Sequence, residues 1–119
     1  MRFHEYLKTL RVSREFGLRE FAHKIEMDVG NYSKLENGSH GAPQKEETLQ
    51  KITKALSLDK EHKEKLFGLA AIANGKIPSD VVEDIKDYEY LPVLLRTIAN
   101  KQLTDEQLKE LTERINKEL

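Results

Sequence analysis

Apolar residues in this chain recur three and four positions apart, and strict alternation never persists for more than a few residues. From Arg2 to about Glu15 the apolar positions Phe3, Tyr6, Leu7 and Leu10, separated by polar residues, have the spacing of an amphipathic helix. Gly17 punctuates it, and Leu18, Phe21, Ala22 and Ile25 then mark one face of a shorter helix over 18–25. Between Ile25 and Asp28 there is room only for a tight turn. A third helix is expected over 28–36, because Asp28 is a good N-cap, Tyr32 and Leu35 share one face, and Asn37 and Gly38 form a stop that tolerates left-handed dihedrals.

After Gly38 the run from Ser39 to Gln44 is rich in turn formers, and Pro43 prevents the third helix from continuing. A fourth helix should begin near Lys45, with Glu46 and Glu47 in its first turn, where carboxylates suit the positive end of the dipole, and with Leu49, Ile52 and Leu56 as its buried stripe. Asp59 can cap a fifth helix carrying Leu66, Phe67, Leu69, Ala70 and Ala73, closed by Asn74 and Gly75. Beyond it, Pro78 and Ser79 start a short helix through Val81, Val82 and Ile85, and residues 87–90 form a connector. Pro92 sits in the first turn of a helix with Leu94, Leu95 and Ile98, and Thr104 to Gln107 fits a capping box ahead of Leu108, Leu111 and Ile115. The whole chain reads as all-α, with a first domain over 1–75 and a C-terminal helical extension over 76–119.

Composition narrows the setting. With 119 residues, two large domains are excluded, and 38% hydrophobic with 34% charged residues suits a helical protein with a modest core. The absence of Cys removes disulfides and thiolate metal sites and points to a reducing cytoplasm. No apolar run approaches a membrane span of roughly 18 residues, and the charged start is unlike a signal peptide. The net charge of −1 is unevenly divided: ten Lys/Arg against eight Asp/Glu through Leu58, and ten against thirteen from Asp59 onward. That small asymmetry has the direction expected if the first half meets phosphate.

The second and third helices, joined by about three residues, have the geometry of a helix-turn-helix. From about Leu7 to Leu58 the chain resembles the Cro/CI, or lambda-repressor-like, family of helix-turn-helix regulators, also called the xenobiotic-response-element family. The resemblance is carried by Leu18, Arg19, Glu20, Phe21 and Ala22, by Ser33 to Gly38, by the following Pro43, and by the Leu49, Ile52, Leu56 helix. It implies a bundle of about five helices in which helix 28–36 is the recognition helix and helix 18–25 crosses the DNA backbone. It also implies a salt bridge between Arg11 of the first helix and Glu36, a bidentate clamp whose alternative is two exposed charges. Three departures stand out. Glu26 replaces the usual turn glycine, so the turn must be built without its normal αL residue, at some strain; Leu18 replaces a polar residue; and Val29 and Gly30 occupy the first reading positions.

The DNA-binding residues expected on this basis fall into two groups, since phosphate contacts give register and base contacts give sequence preference. Phosphate would meet Arg19 and the amides at the start of helix 18–25, then Asn37, and His40 or Lys45 after it, with Arg14 and Lys24 either contributing or simply solvated. For bases, Asn31 can pair with adenine, Val29 can pack on a thymine methyl, and Lys34 can reach guanine or phosphate, with Ser33 beside them. Gly30 either lets the helix approach the groove closely or belongs to an ordinary turn. Tyr32 falls on the core face.

The expected function is that of a double-stranded DNA-binding transcriptional regulator, a repressor acting as a homodimer, because one module reads only a few base pairs. The alternative is an antitoxin-like or adaptor protein whose C-terminal helices hold a protein partner. Leu91, Leu94, Leu95, Ile98, Leu103, Leu108, Leu111 and Ile115 either close over the first domain or pair with another subunit. No catalytic residues are expected: His4, His23, His40 and His62 are scattered, Glu46 and Glu47 point apart as helix neighbours, and no cofactor or metal site is indicated.

Overall fold

A computed structural model describes residues 1–119 and is helical throughout, with eight helices and no strand. They are α1 (Phe3–Ser13), α2 (Leu18–Lys24), α3 (Val29–Glu36), α4 (Glu46–Ala55), α5 (Lys60–Ala73), α6 (Ser79–Ile85), α7 (Leu91–Lys101) and α8 (Asp105–Glu118). The chain divides into compact units Met1–Val82 and Glu83–Leu119, so α6 straddles the division.

The first unit is built on one core. Phe3, Tyr6, Leu7 and Leu10 of α1 join Phe21 and Ala22 of α2, Tyr32 and Leu35 of α3, Leu49 and Ile52 of α4, and Leu66 and Ala70 of α5. Phe21 is fully buried at the α2–α3 contact, its ring centroid 5.4 Å from Tyr32 in an edge-on arrangement and 5.7 Å from Phe16. Edge-on aromatic packing of this kind adds about 0.5–1.5 kcal/mol to the area each ring buries. Ala73, placed by its spacing on the inner face of α5, is instead exposed in the last turn of that helix.

The helix ends explain the turns. Asp28 accepts a hydrogen bond from the Asn31 amide (3.0 Å) at the start of α3, and Asp59 accepts one from His62 (2.9 Å) at the start of α5. At the other ends a left-handed residue is followed by an amide that reaches back to a carbonyl five residues earlier, the Schellman pattern. Glu26 (φ +56°) closes α2 in this way, with the Met27 amide donating to the Ala22 carbonyl at 2.9 Å. Glu15 closes α1 through Phe16 and Arg11 (3.3 Å), and Ser57 closes α4 through Leu58 and Thr53 (3.1 Å).

None of these three left-handed residues is glycine, so each carries a backbone cost of about 1–2 kcal/mol. In every case the next residue, Phe16, Met27 or Leu58, is apolar and packs partly against the core, which offsets the strain. Only α3 and α5 close on glycine, Gly38 (φ +85°) and Gly75 (φ +70°). At Gly38 space matters as well as conformation, because a Cβ there would fall 2.9 Å from the His4 ring.

The second unit is different. In α7 and α8 no side chain is buried: Leu91, Ile98, Leu108 and Leu111, like Leu103 between the two helices, are half-covered, while Leu94, Leu95 and Ile115 are 41%, 51% and 48% exposed. The start of α8 is nonetheless capped locally, with the Gln107 amide donating to the Thr104 hydroxyl at 3.2 Å and the Thr104 amide to the Gln107 side chain at 2.9 Å.

The αL strain at the α2–α3 turn is testable. Glu26→Gly should stabilise the protein by about 1 kcal/mol, read as a higher urea midpoint at an unchanged slope. A lower midpoint would mean that Glu26 is not under strain.

Candidate nucleic-acid interface

The candidate surface is the outer side of α3, and its placement begins on the inner side. Tyr32 is fully buried and Leu35 nearly so, which turns Gly30, Asn31, Lys34 and Asn37 outward; all four are exposed or, at Gly30, open to solvent. Ser33 is half-buried. Val29 is half-buried too and packs partly against the core, so its side chain is not wholly available to a thymine methyl. Gly30 lies within the first turn of α3, and a Cβ there would come 3.1 Å from the Asp28 carboxylate. Its small size therefore makes room for the cap as well as baring the helix.

The C-terminal end of α3 is locked by a buried ion pair. The Arg11 guanidinium donates from Nε to Glu36 Oε2 (2.9 Å) and from Nη2 to Glu36 Oε1 (2.6 Å), while Nη1 donates to the Phe16 carbonyl (2.7 Å). The two side chains are only 11% and 5% exposed. Burial pushes the Glu36 carboxyl up, but the Arg11 fork outweighs it and holds the group below the usual carboxylate range; the same hydrogen bonds raise Arg11. The Tyr32 hydroxyl, buried without a hydrogen bond of its own, is driven well above the ordinary phenol range by burial and then by the Glu36 carboxylate.

Around α3 the structure distributes the expected phosphate ligands unevenly. Arg19 on α2, Lys34, His40 and Lys45 are exposed, and Arg19, Lys34 and Lys45 enter no ion pair. Asn37 uses its side-chain oxygen on the Ser39 amide (2.9 Å), which keeps its NH2 as the donor. The loop bearing His40 and Lys45 is anchored by buried Ala42 and by Asn74, whose Nδ2 donates to the Pro43 carbonyl at 3.2 Å.

At the start of α2 the amide of the cap residue is taken within the chain. The Gly17 amide donates to Glu20 Oε1 at 3.1 Å, which places a carboxylate where an anion would sit. Two cations weighed for phosphate have other contacts. Arg14 donates from Nε to the Leu56 carbonyl at the end of α4 (3.0 Å), and the Lys24 ammonium lies 5.3 Å from the centre of the Phe16 ring. Neither contact has a local sequence signal, because both partners are set by the fold. No protein family, curated protein or solved structure was found to match this chain.

Because the Glu36 pKa is lowered on folding, the pair stabilises the protein above the unfolded carboxylate value of about 4.3 and loses that contribution as pH falls through the folded value. Glu36→Ala should cost about 3–5 kcal/mol at neutral pH by stranding a buried guanidinium, and the variant should lose less stability on acidification than the parent. Chemical denaturation at neutral pH and near pH 3 checks both; an equal acid response in the two proteins would mean that Glu36 is not the titrating group.

Proposed function

We propose that this chain is a sequence-specific, double-stranded DNA-binding transcriptional regulator, a repressor of the lambda-repressor-like helix-turn-helix kind, that reads the major groove with α3. The observation carrying this reading is the outer face of α3. Gly30, Asn31, Lys34 and Asn37 form an open polar surface with one positive charge and no carboxylate, on a helix fixed from behind by Tyr32, Leu35 and Glu36. A rigid helix with short polar side chains suits close approach to base edges.

In this reading Asn31 offers a bidentate pair to adenine, Lys34 reaches guanine acceptors or phosphate, and Ser33 with the exposed part of Val29 fills between them. Arg19, Lys45, His40 and the Asn37 NH2 supply phosphate contacts. The Glu20 and Asp28 carboxylates oppose phosphate beside the Gly17 amide and at the start of α3, so backbone binding rests on the exposed Arg19 side chain and on the far end of α3. Two copies on a two-fold site supply the specificity one copy lacks. A second reading, an antitoxin-like or adaptor protein, draws support from the unburied apolar side chains of α7 and α8.

Anisotropy titrations against a duplex selected from a random pool separate the two. DNA binding should weaken steeply with salt, by a log–log slope of about −0.9 per phosphate contacted. Lys34→Ala should weaken binding, and Asn31→Ala should relax preference at one base pair at a cost of about 1–3 kcal/mol. Unchanged binding in both variants would remove α3 as the reading helix, and the absence of salt-sensitive binding would favour the adaptor.

A further inference from the structure

We infer that Asn37, the residue that closes α3, is a site of spontaneous covalent modification: its side-chain amide is lost to give aspartate or isoaspartate, which switches off the DNA-facing end of that helix. The modification itself does not depend on DNA binding; its consequence rests on the proposed reading of α3.

The chemistry needs an asparagine followed by glycine. The Gly38 backbone nitrogen attacks Asn37 Cγ, a C–N bond forms, and Nδ2 takes up the amide proton and departs as ammonia, leaving a cyclic imide. Water then adds to the side-chain carbonyl of the imide and breaks its bond to nitrogen, giving aspartate, or does the same at the main-chain carbonyl, giving isoaspartate. Water is consumed and ammonia released, with no oxidant or reductant. Glycine has no Cβ to obstruct the approach of its nitrogen.

The chain contains two such pairs, Asn37–Gly38 and Asn74–Gly75, so one molecule holds its own comparison. Each asparagine is the C-cap of its helix, at φ −91° and ψ 0° for Asn37 and φ −91° and ψ 9° for Asn74, and each glycine is left-handed. Dipeptide and backbone are matched; the side chains are not. Asn37 Oδ1 accepts from the Ser39 amide at 2.9 Å, so its carbonyl is held over Gly38 and already faces a donor where negative charge develops as the nitrogen attacks. The residue is exposed to the water that completes the reaction. At Asn74 the group that would leave is the one that is bonded: Nδ2 donates to the Pro43 carbonyl at 3.2 Å. The Gly75 nitrogen, which would attack, donates to the Ile72 carbonyl at 2.9 Å, and Asn74 is half-buried. The fold activates one asparagine and restrains the other.

Conversion acts on the candidate interface. It replaces the Asn37 NH2, a donor offered to phosphate, by a carboxylate that only accepts, and it adds a negative charge at the C-terminal end of α3, where the helix dipole opposes it. Isoaspartate also adds a methylene to the backbone beside Gly38, where a Cβ would already fall 2.9 Å from the His4 ring.

The test incubates the full chain at mildly alkaline pH, where the amide nitrogen is more readily deprotonated, and follows each asparagine by peptide mass spectrometry. Asn37 should convert faster than Asn74 by roughly tenfold, the worth of the additional hydrogen bonds that Asn74 and Gly75 must break. In concentrated urea the two should convert at closely similar rates, because the fold no longer separates them. Equal or faster conversion at Asn74 in the folded chain overturns the inference, as does an Asn37 preference undiminished in urea, or an Asn37 that stays intact while the urea-treated chain converts. The consequence is read by anisotropy. The incubated parent should lose affinity for its duplex, and Asn37→Asp should bind more weakly from the start. Incubated Asn37→Gln, whose longer side chain would have to close a larger ring, should keep the affinity it began with. Full affinity in a converted parent overturns the switch. Mass mapping needs no DNA, so a chain that binds none overturns the proposed function and the switch and leaves the modification site standing.

Discussion

The first unit depends on the buried pair between Arg11 and Glu36. Removing two charges from water costs several kcal/mol per ion, and only near-ideal geometry recovers it. Here the guanidinium uses both edges of its fork on the carboxylate and its remaining nitrogen on the Phe16 carbonyl. One side chain therefore joins α1, the turn that ends α1, and the last turn of α3. Directional bonds restrict the rotation of α3 more tightly than apolar packing alone, and that rotation decides which residues of α3 face outward.

A second constraint acts at the turns. Helices this short need sharp ends, and three of those in the first unit end on left-handed residues that are not glycine. The apolar residue after each one folds back on the core, so tertiary burial maintains a local conformation that local preference disfavours. The turn between α2 and α3, which aims the candidate reading helix, is of this type. The strain at Glu26 was foreseeable, because a tight turn was required and no glycine was there to make it. The equivalent ends at Glu15 and Ser57 carried no such signal, and this is why the first helix was expected to run on to about Glu15.

The candidate surface was legible to different degrees for physical reasons. Asn31, Lys34 and Asn37 lie outward because Tyr32 and Leu35 lie inward, and helical period alone relates those positions. Val29 was less legible, since its partial burial comes from core residues distant in sequence. The same holds for the Arg14 contact with the Leu56 carbonyl, which spans 42 positions, and for Lys24 over Phe16. At the start of α2 the signal is nearer in sequence: three residues after an exposed amide, the Glu20 carboxylate competes with any outside anion for the Gly17 amide.

The sequence by itself determined the all-helical class, the number and order of the helices, most of their caps and the inward faces of α1 to α5. These follow from interactions within a few residues, where period, capping groups and turn chemistry act regardless of what lies across the fold. Only the tertiary structure decided that Arg11 and Glu36 are buried against each other and that Gly30 accommodates its own cap. It also decided that the apolar faces of α7 and α8 are only partly covered. A helix's apolar stripe states that it must be covered; what covers it depends on long-range packing, which no local pattern encodes.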